Sequence, residues 1–554
     1  MLPTSVRPTV SPETITKVTR LFNGTLHDIL TELLQNARRA GAQSVAIDFH
    51  ELDGKLFISV ADDGSGIEDP ASLLALGSSG WNSTIAGRED PAGMGIFSLA
   101  GRDVLVTSRH QTHSSAWDLR IPADGWTGDI ALDVAPASRE IGTTIAFAIN
   151  GMSDNEALST VKKAAAFYPL PVTANGEFLP RRDFLEGACH IAEWNGSRIG
   201  VFTGFPGYRN PTINFHGLTV SSPLFNLAES LRGERFSTKV DIGDTPALQL
   251  VLPARKDIVA NDAYAELKTA CERAIFEAIA ERWAHRLSFE QWQRASELDI
   301  ALPEAEPVLV RWNPADASYR DIHSPRSERG VSGDPVIVEP CEPYIEQPLA
   351  HALRNESLFE RLVEPHAPYE GYAWYDALPR LKAPCFHVAH GGQTTVLSEQ
   401  DPESALPAHV TADAIELRFD LCNQDECTET RLPCDLAFDI DRDIWYDDVE
   451  HIRVAWTPSA ELTPDVLVEL FEAVAFCPSE DSDADSWDTQ HERFLREARK
   501  AATEILLGAD AAIAGEFRDL VLRHRWLLPK GRSLTIKLAD DVVDVSIGQL
   551  PQAA

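Results

Sequence analysis

A chain of 554 residues and 60.9 kDa has room for three or four domains with sizeable cores. Its formal net charge of -36 and sequence pI near 4.8 work against extended contact with nucleic-acid phosphates, and Arg181-Arg182 and Arg523-His524-Arg525 are too short to change that. No apolar run is long enough to cross a bilayer and Met1-Leu2-Pro3-Thr4 begins nothing like a signal peptide, so cytoplasmic residence is expected.

The first element reads from Thr25 to Gly41. Leu26, Ile29, Leu30, Leu33, Leu34 and Ala37 recur at three and four, which predicts an amphipathic helix with Thr25 as N-cap and Gly41 as its stop. Glu32 and Asn36 then lie one turn apart on one face. The Asn36 amide oxygen suits a hard, oxygen-seeking ion such as Mg2+ that also bridges phosphates, and Glu32 is placed to orient and deprotonate a water. Alone, such a pair is equally an ordinary solvated helix face.

Ser44 to His50 and Leu56 to Ala61 alternate as two strands around an Asp53-Gly54 hairpin, and the second delivers Asp62 to the loop Asp62-Asp63-Gly64-Ser65-Gly66. An ionised Asp62 accepts hydrogen bonds only, so it can take an adenine amino group and disfavour guanine. Gly64 and Gly66 let a ligand approach the main chain, although the same five residues also make a plain turn. Leu76 to Ala92, rich in Gly, Ser and Asn, reads as a mobile lid. It leads into Gly93-Met94-Gly95 and a short helix whose free amides suit phosphate oxygens. Gly142-Thr143-Thr144 completes the series.

The order and spacing of these four motifs resemble the GHKL superfamily: gyrase B, ninety-kilodalton heat-shock chaperones, sensor histidine kinases and MutL-type repair ATPases. Glu-Leu-Leu-Gln-Asn-Ala is similar to the N box, Asp62 to Gly66 to the first glycine box, Gly93 to Gly95 to the second, and Gly142-Thr143 to the adenine-side Gly-Thr. The resemblance spans residues 10 to 150 and implies an α/β sandwich: a mostly antiparallel sheet with helices on one face and ATP between helices and lid. It assigns Glu32 as general base, Asn36 as Mg2+ ligand, Asp62 as adenine reader and Thr143 as support for the same contact. Gly64, Gly66, Gly93, Met94 and Gly95 line the nucleotide. Two departures stand out: Asp90 where the chaperones carry another glycine, and Arg39 where an acid often follows the asparagine. Sensor kinases typically lack a glutamate at the Glu32 position, so its presence favours hydrolysis.

A transducer-like middle domain is expected next. Phe167 to Glu177 reads as a strand entering an Asn175-Gly176 hairpin, with strands at Arg198 to Thr203 and Thr212 to Val220 and a long helix from Asn261 to His285. Leu250 to Asp257 places Arg255 and Lys256 at the end of an apolar strand. In the relatives a basic residue of this domain reaches the ATP γ-phosphate, and Arg255 or Lys256 looks similar; a solvated basic pair is the alternative reading.

Beyond Leu302, Pro-rich stretches separate a region without a recognised chemical motif. Val410 to Leu421 and Leu534 to Ile547 alternate like strands, while Thr489 to Leu507 and Ala511 to Leu522 look helical. Glu480 to Asp488 reads as a solvated linker, and the aromatics Trp374, Tyr375, Trp445 and Tyr446 as core. Eight cysteines without a regular framework are expected as reduced thiols, and the spacings of Cys385, His387, His390, Cys422, Cys427 and Cys434 fit no usual zinc knuckle.

The expected architecture is α+β and multidomain: a GHKL-type α/β sandwich (1–150), an α/β transducer domain (151–300) and an α+β carboxy-terminal region (301–554). The expected activity is Mg-dependent ATP hydrolysis driving a chaperone-like closure cycle with an unidentified protein client. The alternatives are a nucleic-acid-associated ATPase of repair or mobile-element defence and a nucleotide-gated scaffold with little hydrolysis. The resemblance also implies a possible homodimer, and no membrane partner is expected.

Overall fold

Thr25 opens the first helix, α1 (Leu26–Arg39), as a reciprocal cap: its hydroxyl accepts from the Asp28 amide and the Asp28 carboxylate accepts from the Thr25 amide. The computed structural model describes residues 25–75, 95–127, 130–204, 211–243, 245–251, 257–316, 333–401, 405–424, 426–440, 449–479, 481 and 483–549. They divide into two units, residues 1–305 and 306–554.

In the first unit, the predicted apolar positions of α1 are all buried and share one core with the inward residues of an eight-stranded sheet. Its strands are β1 (Val45–Leu52), β2 (Lys55–Asp62), β3 (Val104–Arg109), β4 (Ala116–Ile121), β5 (Val134–Ala137), β6 (Gly142–Asn150), β7 (Val172–Ala174) and β8 (Glu177–Leu179). The order is β5-β4-β3-β6-β2-β1-β7-β8, antiparallel except for the parallel pair β1 and β7. Val45, Ile47 and Phe49 on β1 and Leu56, Ile58 and Val60 on β2 are buried on alternate positions, so one face of the sheet carries the core. A second helix, α2 (Asp154–Ala165), packs beside α1. Asp53-Gly54 (φ 52° and 72°) and Asn175-Gly176 (φ 47° and 79°) make the two expected tight hairpins.

A second sheet follows, with β9 (His190–Trp194), β10 (Ser197–Thr203), β11 (Ile213–Phe215), β12 (Leu218–Val220), β13 (Asn226–Ala228) and β14 (Arg235–Ile242). Its order is β12-β11-β14-β10-β9, with β13 also on β14. Helix α3 (Asp262–Ala280), with Asn261 as its cap, and α4 (Phe289–Glu297) close its core. Two expectations need correcting. Thr212 to Val220 is a hairpin and not one strand, because the chain reverses at His216-Gly217 with φ of 54° and 99°. The long helix stops at Ala280, where the chain turns through Trp283 at φ 63°.

The second unit has a sheet centred on strands Arg380–His390 and Ala414–Asn423, a three-stranded sheet, and helices Pro343–Leu353, Pro464–Ala475 and Trp487–Leu507 around one core. Tyr375 is buried in an aromatic cluster with Tyr369, Tyr372 and Trp374, whereas Trp445 and Tyr446 lie outside the described residues. Val410 to Leu421 divides into two strands, and Leu534 to Ile547 falls within a hairpin. Reduced thiols are not uniform: Cys422 and Cys427 face each other across the Ala414–Asn423 and Glu426–Cys434 strands and are disulfide-bonded, because the register sets their Cα atoms 4.0 Å apart. No described helix is long and apolar enough to cross a membrane.

Candidate functional site

Glu32 and Asn36 are both half-buried on α1, between the buried Leu33, Leu34 and Ala37 and the solvent-facing side. Asn36 Oδ1 accepts from Arg39 Nη1 at 3.2 Å, so the residue that replaces the usual acid engages the amide oxygen that the ion would need. Bonds at the helix's C-terminal end bring the first glycine loop alongside. Ser65 N donates to the Ala40 carbonyl at 2.8 Å, and a Cβ at Gly64 would press on Ala40 and on Asp62 Oδ1. Gly66 sits at φ 74° against the Arg109 carbonyl, leaving no room for a side chain.

Asp62 ends β2 opposite Thr143 on β6. Burial raises its carboxyl above the usual carboxylate range; the Gly64 amide, donating to Oδ1 at 2.9 Å, opposes that rise, as do Arg139 and the Thr143 amide. Neighbouring Asp63 does a different job: it accepts from the Gln43 and Ser44 amides and the Ser44 hydroxyl, which lowers its pKa and ties the loop to the approach to β1. Thr143 Oγ1 lies 3.0 Å from Ser108 Oγ, which also donates to the Gly142 carbonyl and accepts from the Ile67 amide. One buried serine thus joins the Gly-Thr strand to the glycine loop.

Asp62, Gly64, Gly66 and Thr143 therefore come together around the end of β2, and the loop they share packs against the end of the helix bearing Glu32 and Asn36. Gly95 opens a 3-10 helix (Gly95–Leu99) that packs on α1. Gly93, Met94, the whole of the expected lid from Leu76 to Ala92, Arg255 and Lys256 lie outside the described residues. Leu250 forms an isolated bridge with Ile258, and Val251 N donates to the Asp257 carbonyl at 2.9 Å, so the described residues on either side of that segment lie against each other.

Four residues that sequence reasoning passed over are central here. Arg139 donates to the Asp62 carbonyl at 2.7 Å and to Thr144 Oγ1, clamping β2 to β6. Ser108 is the serine just described. Tyr168 donates to the Leu34 carbonyl at 2.6 Å, and its burial pushes the phenol pKa strongly up. Gln35, buried, donates to the His216 carbonyl at 2.7 Å and so binds α1 to the β11–β12 turn of the second sheet. The adjacency of Gln35 to Asn36 was the only available signal.

A family model described as "Histidine kinase-, DNA gyrase B-, and HSP90-like ATPase" matches residues 24–138. The DNA mismatch repair proteins MutL of Anaeromyxobacter sp. (strain K) and of Anaeromyxobacter dehalogenans (strain 2CP-1 / ATCC BAA-258) are each 35% identical over 124 residues, 21% of this chain and 20% of theirs. The match thus spans about a fifth of these curated relatives. The solved structure titled "Aquifex aeolicus MutL ATPase domain complexed with ADP" is 13% identical with a TM-score of 0.25, covering 40% of this chain and 94% of that one. The "Crystal Structure of N terminal domain of a DNA repair protein" is 14% identical with a TM-score of 0.29, covering 47% and 96%. Carried on an α+β multidomain chain, the segment from residue 24 to residue 138 belongs to the GHKL superfamily of ATPase domains.

Proposed function

We propose that the chain binds ATP at the end of β2 and hydrolyses it. The observation that carries this is the convergence of Asp62, Gly64, Gly66 and Thr143 beside the helix that presents Glu32 and Asn36. Asp62 takes the adenine amino group, held by the Gly64 amide and by Arg139 at its own carbonyl. The side-chain-free Gly64 and Gly66 admit the nucleotide to the backbone, and the Gly93 to Gly95 segment contributes amides to the phosphates. Asn36 fits Mg2+ as a neutral oxygen donor once Arg39 releases it, and Mg2+ would there supply charge neutralisation between phosphates. Glu32 orients the attacking water and takes its proton. Arg255, or Lys256 beside it, would add a cation to the γ-phosphate from the second sheet's domain, coupling closure to nucleotide state.

Two readings of the output remain distinct. A chaperone-like closure cycle on a protein client follows from the expected layout of residues 1–150, 151–300 and 301–554 and suits an acidic chain. A nucleic-acid-associated role is favoured by the likeness to mismatch repair proteins. In the test, Glu32→Ala abolishes ATP turnover while calorimetry still records ATP uptake. Wild-type protein that binds without measurable turnover would leave a nucleotide-gated scaffold. Turnover that rises with added duplex and collapses with salt selects the nucleic-acid reading.

A further inference from the structure

Residues three apart on a helix share a face, so Asn36-Ala37-Arg38-Arg39 sets the Arg39 guanidinium beside the amide proposed to hold the ion. The contact is made: Arg39 Nη1 donates to Asn36 Oδ1 at 3.2 Å. That oxygen is the atom a divalent cation would ligate, because the amide nitrogen offers only protons. Arg39 is half-buried and belongs to the last turn of α1, where the helix dipole favours a cation. The residue after it, Ala40, receives the first glycine loop through the Ser65 amide at 2.8 Å. The helix thus meets the loop one position beyond Arg39. Arg38, two residues from Asn36, faces elsewhere.

Charge decides what a residue so placed does. A guanidinium stays protonated across the working range of proteins, so Arg39 is a fixed positive charge. A dication on the same oxygen meets a like charge and displaces a charge-assisted hydrogen bond. Metal-free ATP meets the reverse. Its phosphates enter a chain of net charge -36, with Glu32 on α1 and Asp62 and Asp63 at the end of β2, and Arg39 is a countercharge already in place. One side chain therefore favours the bare triphosphate and reduces what the ion adds. An uncharged residue at this position would do neither.

Resting on the ATP reading above, we propose that Arg39 competes with Mg2+ for Asn36 and so sets how strongly nucleotide affinity depends on the ion. It is a specificity-determining residue between two forms of one ligand, ATP alone and Mg-ATP. The test is calorimetry of the full chain with a non-hydrolysable ATP analogue, once in EDTA and once in excess Mg2+; the ratio of the two dissociation constants is the readout. Arg39→Ala is expected to raise that ratio roughly tenfold, the weight of one charge-assisted hydrogen bond, by weakening uptake in EDTA and tightening it in Mg2+. Arg39→Gln, which still donates to Asn36 but carries no charge, is expected to raise it as well, and Arg39→Lys to stay near wild type. Circular dichroism checks that each variant keeps the fold. Where the analogue is bound, a ratio that Arg39→Ala leaves alone or lowers overturns the proposal. So does an equal rise from Arg38→Ala, which would make the effect one of bulk charge and not of the contact with Asn36. Wild type that takes up the analogue in neither condition sinks the ATP reading itself, and this proposal with it.

Discussion

Arg139 connects two strand ends at the point where Asp62 meets Thr143, and it does so with one fork: one arm to the Asp62 carbonyl, one to Thr144. It is a positioning residue in the proposed reaction, since it reaches Asp62 through the backbone and through charge. Arg139→Ala is expected to weaken ATP binding about tenfold, the loss of a charged hydrogen bond of ~1.5 kcal/mol, with turnover at saturating ATP retained. The pH profile separates this from general loosening. Burial raises the Asp62 pKa, so its carboxylate takes up a proton as pH falls at values above the usual aspartate range, and ATP affinity declines from there downward. Arg139 counters that rise, so Arg139→Ala moves the decline to still higher pH, and Asp62→Asn removes it. Calorimetric titrations across mildly acidic pH measure all three. An Arg139→Ala profile superimposable on wild type would exclude the electrostatic role.

At the scale of elements, α1 is gripped from two sides: Tyr168 holds the Leu34 carbonyl, and Gln35 holds the turn at His216. The residues proposed to handle water and ion therefore ride on a helix bonded directly to the second sheet. Gln35→Ala is expected to raise amide exchange in residues 213–220 and to lower turnover more than ATP affinity; unchanged exchange there would show that the bond couples nothing. α1 was legible because Leu26 to Ala37 repeats at helical spacing and Thr25 is a strong cap, and Asp53-Gly54 and Asn175-Gly176 declared their hairpins through residues that tolerate positive φ. The β11–β12 turn was not, because His216 takes positive φ without a side chain that advertises it. Ser108 and Arg139 were illegible for another reason: each acts on a partner more than 30 positions away, and no local period encodes that. Cys422 and Cys427 were separable from the other thiols only once the strand register set them opposite each other.

A buried acid in the second unit gives that unit its own pH response. Glu346, on helix Pro343–Leu353, accepts from the Cys341 amide at 2.9 Å and the Ala315 amide at 2.5 Å, yet burial, with Glu399 and Glu364 nearby, lifts its pKa to about 7. The folded form thus prefers the protonated acid. Below the ordinary glutamate pKa both states are protonated and no penalty arises. As pH rises toward 7 the unfolded chain ionises first, and the penalty grows to on the order of 3 kcal/mol once the folded group ionises too. The core of this unit has no member in common with those of residues 1–305, so scanning calorimetry is expected to resolve more than one transition. A non-hydrolysable ATP analogue at about a hundred times its Kd should raise only the transition of residues 1–305, by the ~2.7 kcal/mol that such saturation supplies. Raising pH from 5 to 7 should lower the other, and Glu346→Gln should flatten that slope. Amide exchange assigns each transition to its residues. A single transition that moves as one with nucleotide and pH would mean that the two units unfold together and that Glu346 has no unit of its own to destabilise.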